Sequence, residues 1–303
     1  MNNTIEVGSQ EWFQREAIRS IKRRPDGIWD YSSSSLLYTT GGSDSYEAIQ
    51  KDDSAGSYKN IVTTTETKLI ELIAPKIVKS LPDTFNYIDF GPGTEHKEKY
   101  FFDAIKENGK KALYVPVDIS KHMLDAANQY AIQQGFQTHP IHQTFEDVVS
   151  EIDAINDEYR FVSLGLTFAN YEPEKILDIL RQVITGNGSV FITAHLRDRI
   201  DIESLRKMYE ETVQDIIANK IKLLGLDSEV DVHEITVTDA VELYCTVKNT
   251  NEIVKDLGMS VGDKILLFRS YRYTLDELKN ILENFDVSYY DEGMEFVGCV
   301  ISI

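Results

Sequence analysis

One stretch limits the fold more than any other: Tyr87-Ile-Asp-Phe-Gly-Pro-Gly-Thr-Glu-His-Lys97, with Leu113-Tyr-Val-Pro-Val-Asp-Ile-Ser120 soon after it. Tyr87, Ile88 and Phe90 suit a strand buried on both faces, as in a parallel sheet covered by helices. Gly91 and Gly93 bracket a turn, where a missing Cβ lets the backbone approach a ligand. Thr94 is placed to cap a helix over about residues 95–108. The second apolar run ends in Asp118. An acid at the end of strand two of an α/β sheet can take both hydroxyls of a ribose.

The glycines do not form a dinucleotide fingerprint, which needs a third glycine to bring the helix against a pyrophosphate. Gly-Pro-Gly-Thr-Glu-His puts bulky groups and an acid there instead. Glu95 suits a helix N-terminus but repels a pyrophosphate. A ligand with a ribose and a cationic amino-acid tail fits better, and S-adenosylmethionine is that ligand. The plainer alternative is an ordinary strand–turn–helix of any α/β domain.

The net charge of −19 and pI near 4.7 argue against nucleic acid or anionic membranes as partners, since both call for a basic face. Hydrophobic residues make up 42 %, enough for a real core. Cys245 and Cys299 lie in apolar runs and read as buried thiols of a reducing compartment. No signal peptide and no membrane-length apolar run is read, so the expected setting is the cytoplasm.

Along the chain, Trp12, Phe13, Ala17 and Ile18 can share a helical face, with Lys22-Arg-Arg24 as its solvated end. The Ser-, Gly- and Tyr-rich segment from about residue 25 to 57 carries Trp29, Tyr31, Tyr38 and Tyr46, with Tyr58 just beyond. These aromatics suit either pocket walls or packing. Thr63-Thr-Thr-Glu66 reads as a capping box opening a helix with Leu69, Leu72, Ile73 and Ile77 on its apolar face. Ser120 caps the next helix. His139 and His142 lack a third nearby ligand, so no metal is expected. A fourth strand near residues 160–168 leads to Asn170, which either faces the ligand crevice or caps the following helix. After a fifth strand the alternation breaks. A long charged helical region over about 201–224 follows, then strand-like runs, a helix capped by Thr274 and a closing hairpin.

These motifs together resemble the histidine-specific methyltransferases of ergothioneine biosynthesis and their relatives that methylate other amino acids, such as dimethylallyltryptophan. The resemblance rests on Leu37-Tyr-Thr-Thr-Gly-Gly-Ser43, Tyr46-Glu-Ala-Ile49, Thr63-Thr-Thr-Glu66, the glycine turn with Lys97, Tyr114-Val-Pro-Val-Asp-Ile-Ser120, Leu164-Gly-Leu-Thr-Phe-Ala-Asn-Tyr-Glu-Pro173 and Arg272-Tyr273. It implies an α/β, Rossmann-like class I methyltransferase domain, residues 63–195 and 271–303. The second, substrate-binding α+β domain would be residues 1–62 and 196–270. Gly91, Gly93, Lys97 and Asp118, with Ile119, would hold S-adenosylmethionine. Thr144 and Phe145 would flank its adenine, Thr144 standing where relatives carry an acid.

For the acceptor, the resemblance assigns the head group to Tyr38, Asn170 and Tyr209, with Tyr58 near the position of a further tyrosine. Phe268 and Ser270 stand where the histidine enzymes place a Glu and a Ser. An imidazole without its acid loses a charge-assisted hydrogen bond of about 1.5–3 kcal/mol. The expectation is therefore an N-methyltransferase for a free amino acid or small amine other than histidine, acting as a monomer. Asn170 and Tyr38 would orient the amine for in-line attack, which needs no metal. Two rival readings are a cofactor-binding regulatory or partner protein without catalysis, and a dinucleotide oxidoreductase.

Overall fold

The structure, a computed structural model, describes residues 6–7, 9–39, 41–54, 56–155, 158–184, 186–226 and 230–303, with backbone alone at 232–234. Residues 1–5 and Gly8 ahead of the expected N-terminal helical face, Thr40 of the 37–43 run and Ala55 of the 25–57 segment lie outside these residues.

The chain opens with α1 (Gln10–Ser20), β1 (Lys22–Arg23), β2 (Trp29–Asp30) and α2 (Gly42–Lys51). Then come α3 (Thr64–Ser80), β3 (Thr84–Phe90), α4 (Lys99–Glu107), β4 (Lys111–Asp118) and α5 (Lys121–Gln133). The alternation continues through β5 (Gln137–Thr138), β6 (Ile141–His142), α6 (Val149–Asp153), β7 (Tyr159–Gly165), α7 (Pro173–Val183) and β8 (Gly188–His195). It breaks at α8 (Ile202–Thr212) and α9 (Gln214–Leu224), followed by β9 (Val230–Val237), β10 (Ala240–Val247), α10 (Glu252–Asp256) and β11 (Lys264–Tyr271). The chain closes with α11 (Leu275–Ile281), β12 (Asp286–Tyr290) and β13 (Phe296–Ser302).

These elements form two units. One comprises Lys59–Ile200 and Arg272–Ile303, the other Met1–Tyr58 and Asp201–Tyr271. The first unit holds an eight-stranded sheet in the order β12-β13-β8-β7-β3-β4-β5, with β6 also beside β4. Strands β3, β4, β7 and β8 run parallel, and β13 enters antiparallel between β8 and β12. This is the Rossmann-like class I methyltransferase arrangement. Every residue of β8 is buried, as a central strand covered on both faces requires. Strand β3 lies between β4 and β7, so the chain reverses direction across the sheet there, and ligands bind at such switch points. The register pairs Phe90 with Val117 and Asp89 with Ser163, bringing the ends of β3, β4 and β7 level.

The other unit holds a five-stranded sheet in the order β1-β2-β11-β10-β9, parallel only at β2/β11. It is an α+β layer built from the N-terminal segment and the later insertion.

Several local expectations change. Thr63 is itself helical and makes no side-chain cap, because a π-turn over Lys59–Thr63 runs directly into α3. The buried face of α3 is Leu69, Ile70, Ile73, Ala74, Ile77 and Val78, while Leu72 is 52 % exposed. In α1, Phe13 and Ala17 are buried but Ile18 is exposed. Lys22 and Arg23 form β1 and not a helix end, since Ile21 is already extended. The charged region over 201–224 is two helices that meet at Val213. Thr274 does cap its helix, and with Glu277 it makes a full capping box, its hydroxyl accepting from Glu277 N and the Glu277 carboxylate accepting from Thr274 N. Cys245 and Cys299 are buried, and burial pushes both thiols up to about 12. Among the described residues, no helix is long and apolar enough to cross a membrane.

Candidate functional site

The loop after β3 is shaped by residues in the left-handed region. Gly91 has φ +70° and Gly93 φ +68°. A Cβ on Gly91 would lie 3.3 Å from Thr167 Oγ1 and 3.6 Å from Phe145 Cζ, so only glycine leaves this surface open. His96, at φ +52°, also departs from helical geometry. The helix therefore starts at Lys99, later than expected, and Thr94 caps nothing. The intervening residues form a loop that folds Lys97 inward. A recess opens at this point, lined by Asp89, Gly91, Pro92, Lys97, Ser163 and Thr167 among others.

Lys97 Nζ donates to Glu66 Oε2 at 2.8 Å. Burial alone would lower the lysine, but the charges of Glu66 and Glu95 and the Glu66 hydrogen bond outweigh it and hold the ammonium above its ordinary value. Glu66 is 1 % exposed, and its other oxygen accepts from Leu166 N at 2.9 Å and Thr193 Oγ1 at 2.5 Å.

Three further acids surround the loop. Asp89 is pushed up to about 8, by burial first and then by the charge of Glu98, with the Tyr114 hydrogen bond and Lys97 opposing. Asp118 is pushed up to about 7 by burial, against backbone hydrogen bonds from Ser120 and Ile119. Its Oδ1 accepts from Ser120 N at 2.7 Å. Glu98 is raised by burial, with His96 opposing. His96 in turn is raised mainly by its hydrogen bond to Glu98.

Phe145 stacks on Phe90 with ring centroids 4.5 Å apart and planes 16° from parallel. It therefore presents an aromatic surface at the glycine turn. Thr144 donates its hydroxyl to Asp147 Oδ2 at 2.9 Å and accepts from Asp147 N at 3.2 Å. Its proton is committed, yet a hydroxyl oxygen carries two lone pairs, and a second donor such as an exocyclic amine still has an acceptor there. Ile119 is buried beside Asp118, and its carbonyl accepts from His142 Nε2 at 2.9 Å. That contact gives His142 a structural partner. Among the described residues, no group of three His, Cys, Asp or Glu side chains could hold a metal.

Asn170 closes a 3₁₀ turn, Leu166–Asn170, that follows β7. It does not cap α7, whose N-cap position is Glu172 with Pro173 first in the helix. The capping alternative therefore fails, and Asn170 stands beyond the carboxyl end of β7.

The second unit gathers most of the other singled-out residues. Tyr38, Tyr46, Tyr58, Tyr209 and Phe268 form one continuous file of rings. Successive centroids are 5.5, 6.3, 6.1 and 5.9 Å apart, and all but the last pair meet edge to face. Ser270 is buried and lies two residues from Phe268 on the same face of β11. Tyr46 joins Tyr38 to Tyr58, a connection that spacing along the chain did not suggest. The Gly41-Gly42 pair has a steric reason. Gly41 is at φ +90°, and a Cβ on Gly42 would lie 1.9 Å from Leu37 O, so the turn presenting Tyr38 needs glycine.

A family model described as "Histidine-specific methyltransferase, SAM-dependent" matches residues 13–215. Among curated proteins, no match was found. Three solved structures that the chain resembles are distant from it. A protein of Pyrococcus horikoshii OT3 is 14 % identical, covers 84 % of this chain and 97 % of its own, and has a TM-score of 0.45. An S-adenosylmethionine-dependent methyltransferase of Clostridium acetobutylicum is 12 % identical over 81 % of this chain and 96 % of its own, with a TM-score of 0.42. One from Aquifex aeolicus is 14 % identical over 78 % and 98 %, with a TM-score of 0.35. Likenesses this distant carry no functional argument.

The family match overturns two expectations. The apolar Phe268 led to an acceptor other than histidine, but the matching family is histidine-specific. Losing one acid from an imidazole site weakens one hydrogen bond without closing the site, and the Ser270 hydroxyl remains on the same face. The reading as a regulatory protein without catalysis falls with it. The chain belongs to the histidine-specific, S-adenosylmethionine-dependent methyltransferases and is a methyltransferase acting on an amino acid.

Proposed function

We propose that this enzyme transfers methyl groups from S-adenosylmethionine to an amino nitrogen of free histidine. The observation that carries the reading is the family match across residues 13–215. The site chemistry supports it. The glycine turn offers open backbone, Asp118 offers a carboxylate for ribose hydroxyls, and Lys97 offers an ammonium for a carboxylate. Phe145 offers a face for a base, flanked by Ile119 and Thr144. These residues, with Gly91 and Gly93, would hold the cofactor, which when bound supplies a methyl group on a positively charged leaving group.

On the same reading Tyr38, Tyr58, Tyr209, Phe268 and Ser270 serve the acceptor, and Asn170 and Tyr38 orient the amine. Residues 1–62 and 196–270 would form the acceptor domain, and 63–195 with 271–303 the cofactor domain. Alignment of the amine with the methyl group can supply several kcal/mol of the barrier without a covalent intermediate. The chain would act as a cytoplasmic monomer on this small molecule. Two buried thiols and the acidic surface favour that setting.

The test is incubation with S-adenosylmethionine and a panel of amino acids, followed by mass spectrometry. Histidine is expected to gain the mass of one or more methyl groups. S-adenosylhomocysteine binding without any methylated histidine would overturn the acceptor assignment.

A further inference from the structure

Glu66 joins three segments that meet at the carboxyl end of the sheet. Its Oε2 accepts from Lys97 in the glycine loop after β3, while its Oε1 accepts from Leu166 N and from Thr193 of β8. Leu166 begins the turn that ends in Asn170. The neighbouring Gly165 is at φ +50°, and a Cβ there would lie 3.0 Å from Glu66 Oε1, so the carboxylate also fixes how close that turn comes. A carboxylate buried this completely is costly unless every oxygen is matched, and here each is.

We propose that Glu66 is a positioning residue that sets the cofactor loop and the acceptor turn relative to each other through its two oxygens. One oxygen governs Lys97 and hence cofactor affinity. The other governs the Leu166–Asn170 turn and hence turnover. This deepens the methyltransferase reading and rests on it.

The two roles are separable. Glu66→Gln keeps an amide oxygen for Leu166 N and Thr193 but turns an N–H₂ toward Lys97. Cofactor affinity should fall about tenfold or more, with kcat at saturating cofactor close to wild type. Thr193→Val removes a donor without changing shape. It should lower kcat several-fold while leaving S-adenosylhomocysteine affinity unchanged, and Thr193→Ser should restore kcat.

Affinity is read by calorimetry with S-adenosylhomocysteine, and kcat by methyl transfer to histidine. An unaltered affinity in Glu66→Gln beside a binding wild type overturns the Glu66 assignment alone. So does an equal loss of affinity and kcat in both variants, which would mean general loosening. If Glu66→Gln does not fold, Thr193→Val decides: an unchanged kcat overturns the proposal and a selective loss supports it. A wild type that binds no S-adenosylhomocysteine overturns the cofactor reading and this proposal together.

Discussion

Tyr114 donates its hydroxyl proton to Asp89 Oδ2 across 2.8 Å, tying β4 to β3 two residues before Gly91 of the glycine loop. Both side chains are buried. The hydroxyl steadies the carboxylate, yet burial and the charge of Glu98 still raise Asp89 from 3.8 to about 8. A carboxyl whose folded value lies above its unfolded one adds stability only while protonated. That contribution is fully present below the unfolded value and is lost as pH rises through about 8. The ligand-free chain should therefore melt at falling temperatures from about pH 5 to pH 8. Asp89→Asn keeps an acceptor for Tyr114 and cannot ionise, so it should reduce this slope. Thermal unfolding by circular dichroism across that range checks it, and identical slopes would refute the role given to Asp89.

Asp118 should make cofactor binding pH-dependent. Its carboxyl is raised to about 7, and ribose hydroxyls donate to the ionised form. Binding then favours loss of the proton, so affinity for S-adenosylhomocysteine should strengthen as pH rises through about 7. Calorimetry in two buffers of different ionisation enthalpy should detect proton release. Asp118→Asn should bind about tenfold more weakly, as expected for a lost charge-assisted hydrogen bond, with less release. Equal release in both proteins would place the proton elsewhere.

Much of this was legible before the structure. The buried strand and the glycine turn are local patterns, and a parallel α/β sheet follows from the strand–helix alternation. The Thr274 cap is local too, and it forms. What was missed depends on partners far along the chain. Thr63 looks like a cap, but the preceding residues are already helical. Leu72 looks like core, yet α3 is rotated so that Ile70 and Ala74 face inward. The polar residue Lys76, four after Leu72, was the signal available. Glu66 reads as a capping acid, while its donors at Lys97, Leu166 and Thr193 are unforeseeable from spacing. Phe268 misled because an absent acid says what contact is lost and nothing about what else holds the acceptor.

Asn170 offers a direct test of turnover. It closes the turn after β7 and caps no helix, so its side chain is not committed to α7. On the proposed reading it orients the attacking amine. Asn170→Ala should lower kcat about a hundredfold, the scale of a misaligned reactant, with S-adenosylhomocysteine affinity within about twofold of wild type. Single-turnover methylation of histidine measures the first quantity and calorimetry the second. Full activity in the variant would remove Asn170 from the mechanism.

Lys220 should matter for stability. It projects from α9, is 1 % exposed, and its ammonium donates to the carbonyls of Tyr31, Ser33 and Leu267, the last two at 3.2 and 3.0 Å. It also lies 4.3 Å from the Tyr31 ring centroid. Three carbonyls match the three protons of an ammonium, so the side chain clips the segment after β2 and strand β11 to α9. Burial pulls the lysine down to about 7, with Asp30 opposing, so the clip is held against a desolvation cost. Lys220→Met keeps the aliphatic length, removes that cost and leaves three buried carbonyls without this donor. Each unsatisfied group costs about 1–3 kcal/mol, and the relief of desolvation offsets part of the sum. The net expectation is a loss of about 2–4 kcal/mol in urea unfolding at neutral pH. Because Leu267 adjoins Phe268, the same variant should raise KM for histidine more than it weakens S-adenosylhomocysteine binding. A variant as stable as wild type would mean that the three carbonyls find other donors and that Lys220 is no clip.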